Sequence, residues 1–262
     1  MTILVDAHVH IYDCFQLDNF LNSALENFQK CASSDAARFV LCFTETQSDQ
    51  YFAKLMQYAE SGTTVVDWTF HPTQEPESIH AKHRTGKGMW FLAGRQVVTS
   101  ERLEVSALVT SAQIPDGLTL DQTLQAIHQV GGLSALPWGV GKWMGSRGKL
   151  VAALLTPETQ SSTPLFLSDN GGRPGFWPWP PCFKQAQELG WKVLSGTDPL
   201  PLKSESSRPG GFGFQLAADF DLDQPGQSLK QALLDPQTEV QPYGTLENPL
   251  RFTRNQVALR LP

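Results

Sequence analysis

The run Ile3-Leu4-Val5-Asp6-Ala7-His8-Val9-His10-Ile11 alternates strictly. Its odd positions are all apolar, and its even positions read Leu4, Asp6, His8, His10. Strand side chains alternate with period two, so this run is a strand with one wholly apolar face. That face is expected to pack under helices. The other face grows more polar toward its C-terminal end. In a closed α/β barrel, the C-terminal mouth is where reactive groups collect. The run therefore sets two expectations, a barrel strand and a site at its end.

Outward from it, Leu17, Phe20, Leu21, Ala24, Leu25 and Phe28 recur at helical spacing. The pattern then predicts a strand over 38–44, a helix over 50–60 and a β-rich run over 63–70. Residues 71–88 show little periodicity, and strands are expected over 89–99 and 104–110. A helix over 120–130 stops at Gly131-Gly132. A short strand over 133–136, a Gly/Trp loop and a helix over 149–155 ending before Pro157 come next. The pattern closes with a strand over 164–168, a helix over 183–189 and a strand over 191–195. Short apolar strands alternating with helices predict parallel βα units around one core. From Pro199 the texture changes to a Ser/Gly/Pro loop over 204–213, a short helix over 228–234 and a Pro-rich tail. The expected organisation is an α/β barrel in 1–200 with a C-terminal extension, 201–262, packing on the same domain. No internal repeat or low-complexity linker marks a second domain.

The 262 residues are 40% hydrophobic, enough to bury a core without disulfides or a structural metal. Apolar runs such as 39–43 and 150–155 fall far short of the ~20 residues that span a bilayer, so no membrane partner is expected. Asp6 and His8 interrupt the opening strand before a signal-peptide core could form. The four cysteines (Cys14, Cys31, Cys42, Cys182) form no CxxC pair and read as reduced thiols of a cytoplasmic protein. Twenty basic residues against 26 acidic ones give a net charge of −6, with no basic tract. Affinity for nucleic acid depends on neutralising phosphates, so nucleic-acid wrapping is not expected.

His8 and His10 lie two apart on the polar face, so both imidazoles can reach one ion. Neutral imidazole is a common ligand of Zn, Mn and Fe. Taken alone, the pair fits equally well two polar residues near a strand end. Asp198 follows the strand over 191–195 through Ser195-Gly196-Thr197 and would bring a carboxylate to the same mouth. A His, His, Asp set is enough for one metal with room for water. The alternative is a turn aspartate bonding its own backbone before Pro199. Asp169 and Asn170 end the strand over 164–168, and Gly171-Gly172-Arg173-Pro174 follows. Carboxylate, amide and guanidinium suit a metal and an anion, and they equally suit a polar Gly turn with a solvated Arg. Glu45, after the strand over 38–44, is a further candidate ligand or base. Trp177 and Trp179 read as a lid or structural plug. Among the other histidines, His71 is a further candidate ligand, while His80, His83 and His128 are expected to be solvated or to pack.

Five segments together resemble the motifs of PHP (polymerase and histidinol phosphatase) domains. Asp6-Ala7-His8-Val9-His10 resembles the opening motif, and residues 39–45 the second. Leu92-Ala93-Gly94-Arg95-Gln96-Val97 resembles the third strand. Residues 126–133 are similar to the helix and double Gly before the His-Pro motif, and residues 191–198 to the closing strand. The resemblance implies a distorted TIM-like (β/α)7 barrel whose mouth carries up to three metals for phosphoester hydrolysis. Several ligand positions depart from the pattern. Glu45-Thr46 replaces Asp-His, Gln96 replaces Glu, Leu136-Pro137-Trp138 lacks the His, and Leu200 replaces the closing His. His8, His10 and Asp198 carry over unchanged, with Glu45, Glu104 or Asp169 as local substitutes. The implied cofactor is a divalent metal (Zn, Mn or Fe), one ion rather than three.

The expected function is a metal-dependent phosphoesterase acting on a small phosphorylated substrate. Its metal ligands would be His8, His10 and Asp198, its general base Glu45 or Asp169, and its phosphate grip Arg173 and Lys142. The alternative is a degenerate barrel that binds a small anionic molecule or a protein partner without turnover. A second alternative, an amidohydrolase-like enzyme, would need a further His on each of two middle strands, and these are absent.

Overall fold

The computed structural model describes residues 1–139, 141–156, 159 and 164–260. The opening run forms β1 (Thr2–Val9), and α1 (Leu17–Cys31) buries the five residues Phe20, Leu21, Ala24, Leu25 and Phe28. Next come β2 (Arg38–Phe43), α2 (Tyr51–Ser61), β3 (Thr64–Val65), β4 (Trp68–Pro72), β5 (Ser78–His83) and β6 (Gly88–Leu92). β7 (Gly94–Val98) and β8 (Glu104–Leu108) lead to α3 (Leu120–Gln129), which starts at a capping box between Thr119 and Gln122. Then follow β9 (Leu133–Trp138), α4 (Ser146–Leu154), β10 (Leu165–Asn170), α5 (Pro181–Glu188) and β11 (Val193–Gly196). Pro157, expected to stop the helix here called α4, lies outside the described residues. A 3-10 turn (Lys203–Ser207), β12 (Phe212–Ala217), α6 (Pro225–Leu234), β13 (Gln241–Gly244) and α7 (Pro249–Ala258) complete the chain.

These strands do not close into the expected (β/α)7 barrel. They form an eight-stranded sheet, ordered β13-β12-β1-β2-β6-β5-β4-β3, and a five-stranded sheet, ordered β11-β10-β9-β8-β7. Three features account for the difference. Residues 63–92 form antiparallel hairpins instead of βα units, so β3 to β6 extend one sheet away from the other. β12, from the C-terminal part, takes the free edge of β1 in antiparallel register. Finally, the run expected as one strand over 89–99 is two strands that belong to different sheets, β6 paired with β2 and β7 paired with β8. The crossing falls beside Gly94, where a Cβ would lie 2.1 Å from the Phe43 carbonyl oxygen and 2.8 Å from that of Ala107. The sheets touch there through single bonds, Glu45 N–H to the Gly94 carbonyl (3.1 Å) and Gln96 N–H to the Glu45 carbonyl (2.8 Å).

The apolar interior has three layers. Ile3, Val5 and Ala7 of β1 pack between the two sheets, against Leu108, Ala135, Phe166 and Leu194. Ile3, Val5 and Ala7 on the odd face of β1 therefore meet the second sheet, with Leu229, Ala232 and Leu233 of α6 in the same layer, and not α1 or α2. Leu4 packs in the layer of α1 and α2, and a register irregularity between Asp6 and Val9 puts Val9 in that layer too. The third layer lies between the five-stranded sheet and the helices α3, α4 and α5. No helix among the described residues is long and apolar enough to cross a membrane.

Candidate metal centre

The end of β1 and the turn after β11 meet at His8, His10 and Asp198. Nε2 of His8 lies 3.1 Å from Nε2 of His10, and Oδ1 of Asp198 lies 3.6 Å from the first and 3.7 Å from the second. Two nitrogens held at 2.0–2.1 Å by one tetrahedral zinc ion sit about 3.3 Å apart, so this is the spacing of co-ligands. It is the single group of three or more potential ligand residues that converges among the described residues.

The backbone makes the convergence possible. Gly196 passes so close to β1 that a Cβ on it would lie 2.4 Å from the His8 nitrogen. The Asp198 N–H donates to the His8 carbonyl (2.8 Å), and Asp198 adopts a left-handed conformation at φ 46°. Asparagine and aspartate tolerate that region better than other non-glycine residues. Beneath, the buried Asp6 carboxylate accepts from Thr197 N–H (2.8 Å), Thr197 Oγ1 (2.6 Å) and Gly210 N–H (2.9 Å). Burial pushes Asp6 up to about 6 against these bonds. Asp6 thus ties β1 to the turn that carries Asp198, a role its position in the opening motif does not reveal.

Electrostatics suit cation binding. Burial lowers His8 to about 3 and also lowers His10, with Asp198 opposing both shifts, so both imidazoles are neutral and keep a lone pair near neutral pH. Burial alone would raise Asp198, but His8, Lys142 and His10, together with Asn170, hold it below the usual carboxylate range. Asn170 Nδ2 donates to Asp198 Oδ2 (2.7 Å), which leaves Oδ1 toward the imidazoles. Thr44 Oγ1 lies 3.3 Å from His10 Nε2, and Tyr12 stacks on the His10 ring at 5.6 Å. The donor set therefore fits one divalent ion. One feature is less favourable. Nδ1 of both histidines is buried without a partner. Ligating histidines ordinarily donate from that atom, and lacking such a bond typically costs 10–100-fold in metal affinity.

The other sequence candidates lie apart from this triad or are already engaged. Asp169 accepts two bonds from Arg173, from Nε at 3.0 Å and from Nη2 at 2.8 Å, and both side chains are buried. Arg173 Nη1 donates to the Trp177 carbonyl, and its guanidinium lies over the Trp179 ring. Burial raises Asp169 against the pull of Arg173. Glu45 Oε1 accepts the Phe52 N–H at the start of α2 (2.7 Å), and burial raises its carboxyl. Glu104 pairs with Lys142 at 2.5 Å. His71 bonds Thr69 on the β4–β5 hairpin, away from the triad. Sequence reasoning did not single out Thr44, Tyr12 or Asp6. Asn170 was visible only as one polar residue in a Gly-rich turn.

No family model matches the chain, and no curated protein matches it significantly in sequence. Solved structures share its fold. PsfC from Pseudomonas syringae superposes with a TM-score of 0.60 at 13% identity, covering 98% of this chain and 97% of that one. A lesion-specific endonuclease, endonuclease Q from Pyrococcus furiosus, superposes at 0.55 with 11% identity over 92% of this chain and 58% of its own. Endonuclease Q bound to a 27-mer duplex with an abasic lesion at its active site superposes at 0.51 with 10% identity, over 89% and 56%. The present chain thus spans under three-fifths of the endonuclease chains. The expectation, from the net charge, of no nucleic-acid wrapping does not stand, because a chain of this fold is seen with a DNA duplex at its active site.

Proposed function

We propose that the chain is a metal-dependent phosphoester hydrolase of PHP-like type, in which His8, His10 and Asp198 hold one divalent ion. The convergence of those three donor atoms at co-ligand spacing carries the reading. The five PHP-like segments and an endonuclease of the same fold support phosphoester chemistry. Small phosphorylated molecules and nucleic acid both belong to the substrates that this reading admits.

A bound divalent ion would neutralise phosphoryl oxygens and make a water acidic enough to attack near neutral pH. The chain's own residues prepare that chemistry. Burial keeps the imidazoles unprotonated, and Asn170 orients the Asp198 carboxylate. Lys142, raised because Asp198 and Glu104 outweigh its burial, stays cationic beside the triad and takes the role of phosphate grip. Arg173 and Asp169 occupy each other, so we assign them to positioning the loop after β10. Glu45 caps α2 and is not free to act as a base.

One observation favours a second reading, binding without turnover: among the described residues, no carboxylate outside the triad lies free beside it. Metal uptake and hydrolysis separate the cases. Chelated protein dialysed against Zn or Mn is expected to retain about one ion per chain, because three donors converge on one point. His8→Ala/His10→Ala should retain none. The hydrolysis rate of p-nitrophenyl phosphate or its bis ester should fall by at least about 100-fold in that variant. No uptake by the wild type overturns the hydrolase reading. Uptake without hydrolysis of either ester selects binding without turnover.

A further inference from the structure

The triad is nearly closed off from solvent. The His8 side chain is 0% exposed, that of His10 5% and that of Asp198 21%. Most of the triad's exposed surface thus belongs to Asp198, which lines a cavity of about 220 Å³. That volume falls below the about 300–1,000 Å³ of ordinary ligand sites. Trp138 of β9 and Asn170 of β10 wall the cavity on one side, and Phe252, Asn255 and Gln256 of α7 wall it on the other. A larger substrate reaches the triad only when a wall moves aside.

α7 is the wall built to move. Short helices are marginal on their own, and in folded proteins a buried apolar face usually holds them. α7 has ten residues and no such face. Asn255 is its single buried residue, while Leu250, Val257 and the following Leu259 are 83%, 52% and 43% exposed. Phe252 is its one half-buried apolar side chain. Polar bonds to the 3-10 turn hold it instead. Arg251 Nε and Asn255 Nδ2 both donate to Glu205 Oε1, at 3.0 and 2.9 Å, and Arg251 Nη2 donates to the Ser204 carbonyl at 3.0 Å. Glu205 is wholly buried, but it also pairs with Arg208 Nη1 at 3.2 Å, and Arg208 is not part of α7. Departure of α7 therefore leaves no unpaired charge behind, the usual obstacle to breaking a buried ion pair. The chain just before α7 is fixed. The Glu247 N–H donates to the Arg173 carbonyl (3.1 Å), its carbonyl accepts from the Gly175 N–H (2.9 Å), and its Oε2 lies 2.8 Å from Arg208 Nη1. The pivot falls at Asn248, between the pinned Glu247 and the helix.

We propose that α7 is a lid over the candidate metal centre, latched to Glu205 through Arg251 and Asn255, and that ligands reach the triad when this latch opens. The lid regulates access to the site, and it rests on the hydrolase reading only in taking the triad as the site that is covered.

Two rates measured on the whole metal-free chain test the lid. Amide hydrogen exchange, read by mass spectrometry, follows the opening of α7. Carbethoxylation by diethyl pyrocarbonate, read on the peptides carrying His8 and His10, follows access to the imidazoles. Arg251→Ala removes the arginine's bonds to the turn and leaves Glu205 with Arg208. It should raise the opening equilibrium about tenfold, the loss of a charge-assisted bond. Exchange within 249–258 and labelling of His8 and His10 should rise by the same factor, since one opening limits both. Amides of β1 and β10, and labelling of the exposed His71, should keep their rates. Faster exchange in α7 with unchanged labelling of His8 and His10 overturns the proposal, as do unchanged rates throughout. An equal rise in β1 and β10 also overturns it, because the opening is then global. Neither rate needs metal or turnover. A chain that takes up no ion yet shows the coupled rise loses the hydrolase reading and keeps the lid. Metal uptake and ester hydrolysis without the coupled rise do the reverse.

Discussion

A Cβ on Gly196 would lie 2.4 Å from the His8 nitrogen and 2.7 Å from the His8 Cβ, and neither atom can yield without moving β1. Gly196→Ala should therefore push β11 off β1 and carry Asp198 away from the imidazoles. The expected cost is about 1–3 kcal/mol in stability, the usual range for overpacking. Denaturant titration reads that loss, and metal titration of the folded fraction reads the second effect. Unchanged metal affinity in the folded variant would show that Asp198 is held independently of this contact. The triad was legible at this scale because residue type and spacing carry it: an HxH pair ends an alternating strand, and a carboxylate follows a late one. The Asp6 clamp was not. Its partners Thr197 and Gly210 lie 191 and 204 residues away, and no local pattern connects them. The Asp169–Arg173 pair is four residues apart, yet its two side chains suit a ligand cluster and a structural ion pair equally in sequence.

Single elements were readable where one face alone is buried. α1 and α3 show their helical stripe, and their structural bounds agree with the spacing to within a few residues. The hairpin over β4 and β5 was missed because the outward positions of β5 carry His80 and Lys82, so residues 71–88 look merely polar. That hairpin carries a pH prediction. His80 stacks on Trp90 at 4.5 Å, and burial lowers its pKa to about 4, with His71 and Lys82 adding to the shift. A histidine lowered in the folded state contributes stability that is full above its unfolded value near 6.5. The contribution is lost as pH falls from there through about 4. The loss should reach about 2 kcal/mol, since part of the ring stays solvated. Urea midpoints at pH 7 and pH 4.5 measure it. His80→Phe keeps the stack without the titration, and it should show a smaller drop between those pH values. An equal drop would place the acid sensitivity elsewhere.

At the scale of the molecule, the expected barrel follows from reading strand–helix alternation as closure, but closure is decided at strand edges. β1 gives one edge to β12, and β6 and β7 part at Ala93, so two sheets result. The candidate ligands then come from both sides. His8 lies near the end of the large sheet's β1 and His10 just after it, and Asp198 follows the small sheet's β11. Apart from the apolar layer between them, the sheets are joined near this point by few direct bonds, the Asp198 N–H to His8 carbonyl among them. An ion held by all three residues would therefore cross-link the sheets in the folded state and have no comparable site in the unfolded chain. At a metal concentration 100 times its dissociation constant, such binding stabilises by about 2.7 kcal/mol. For a chain of this size that corresponds to a rise in Tm of about 5–10 °C. Thermal unfolding with Zn or Mn, and again after adding a chelator, should show that rise and its reversal. His8→Ala/His10→Ala should show neither, because Asp198 alone leaves the sheets unlinked. A rise of equal size in the double variant would place the ion at another site and separate metal stabilisation from the contact between β1 and β11.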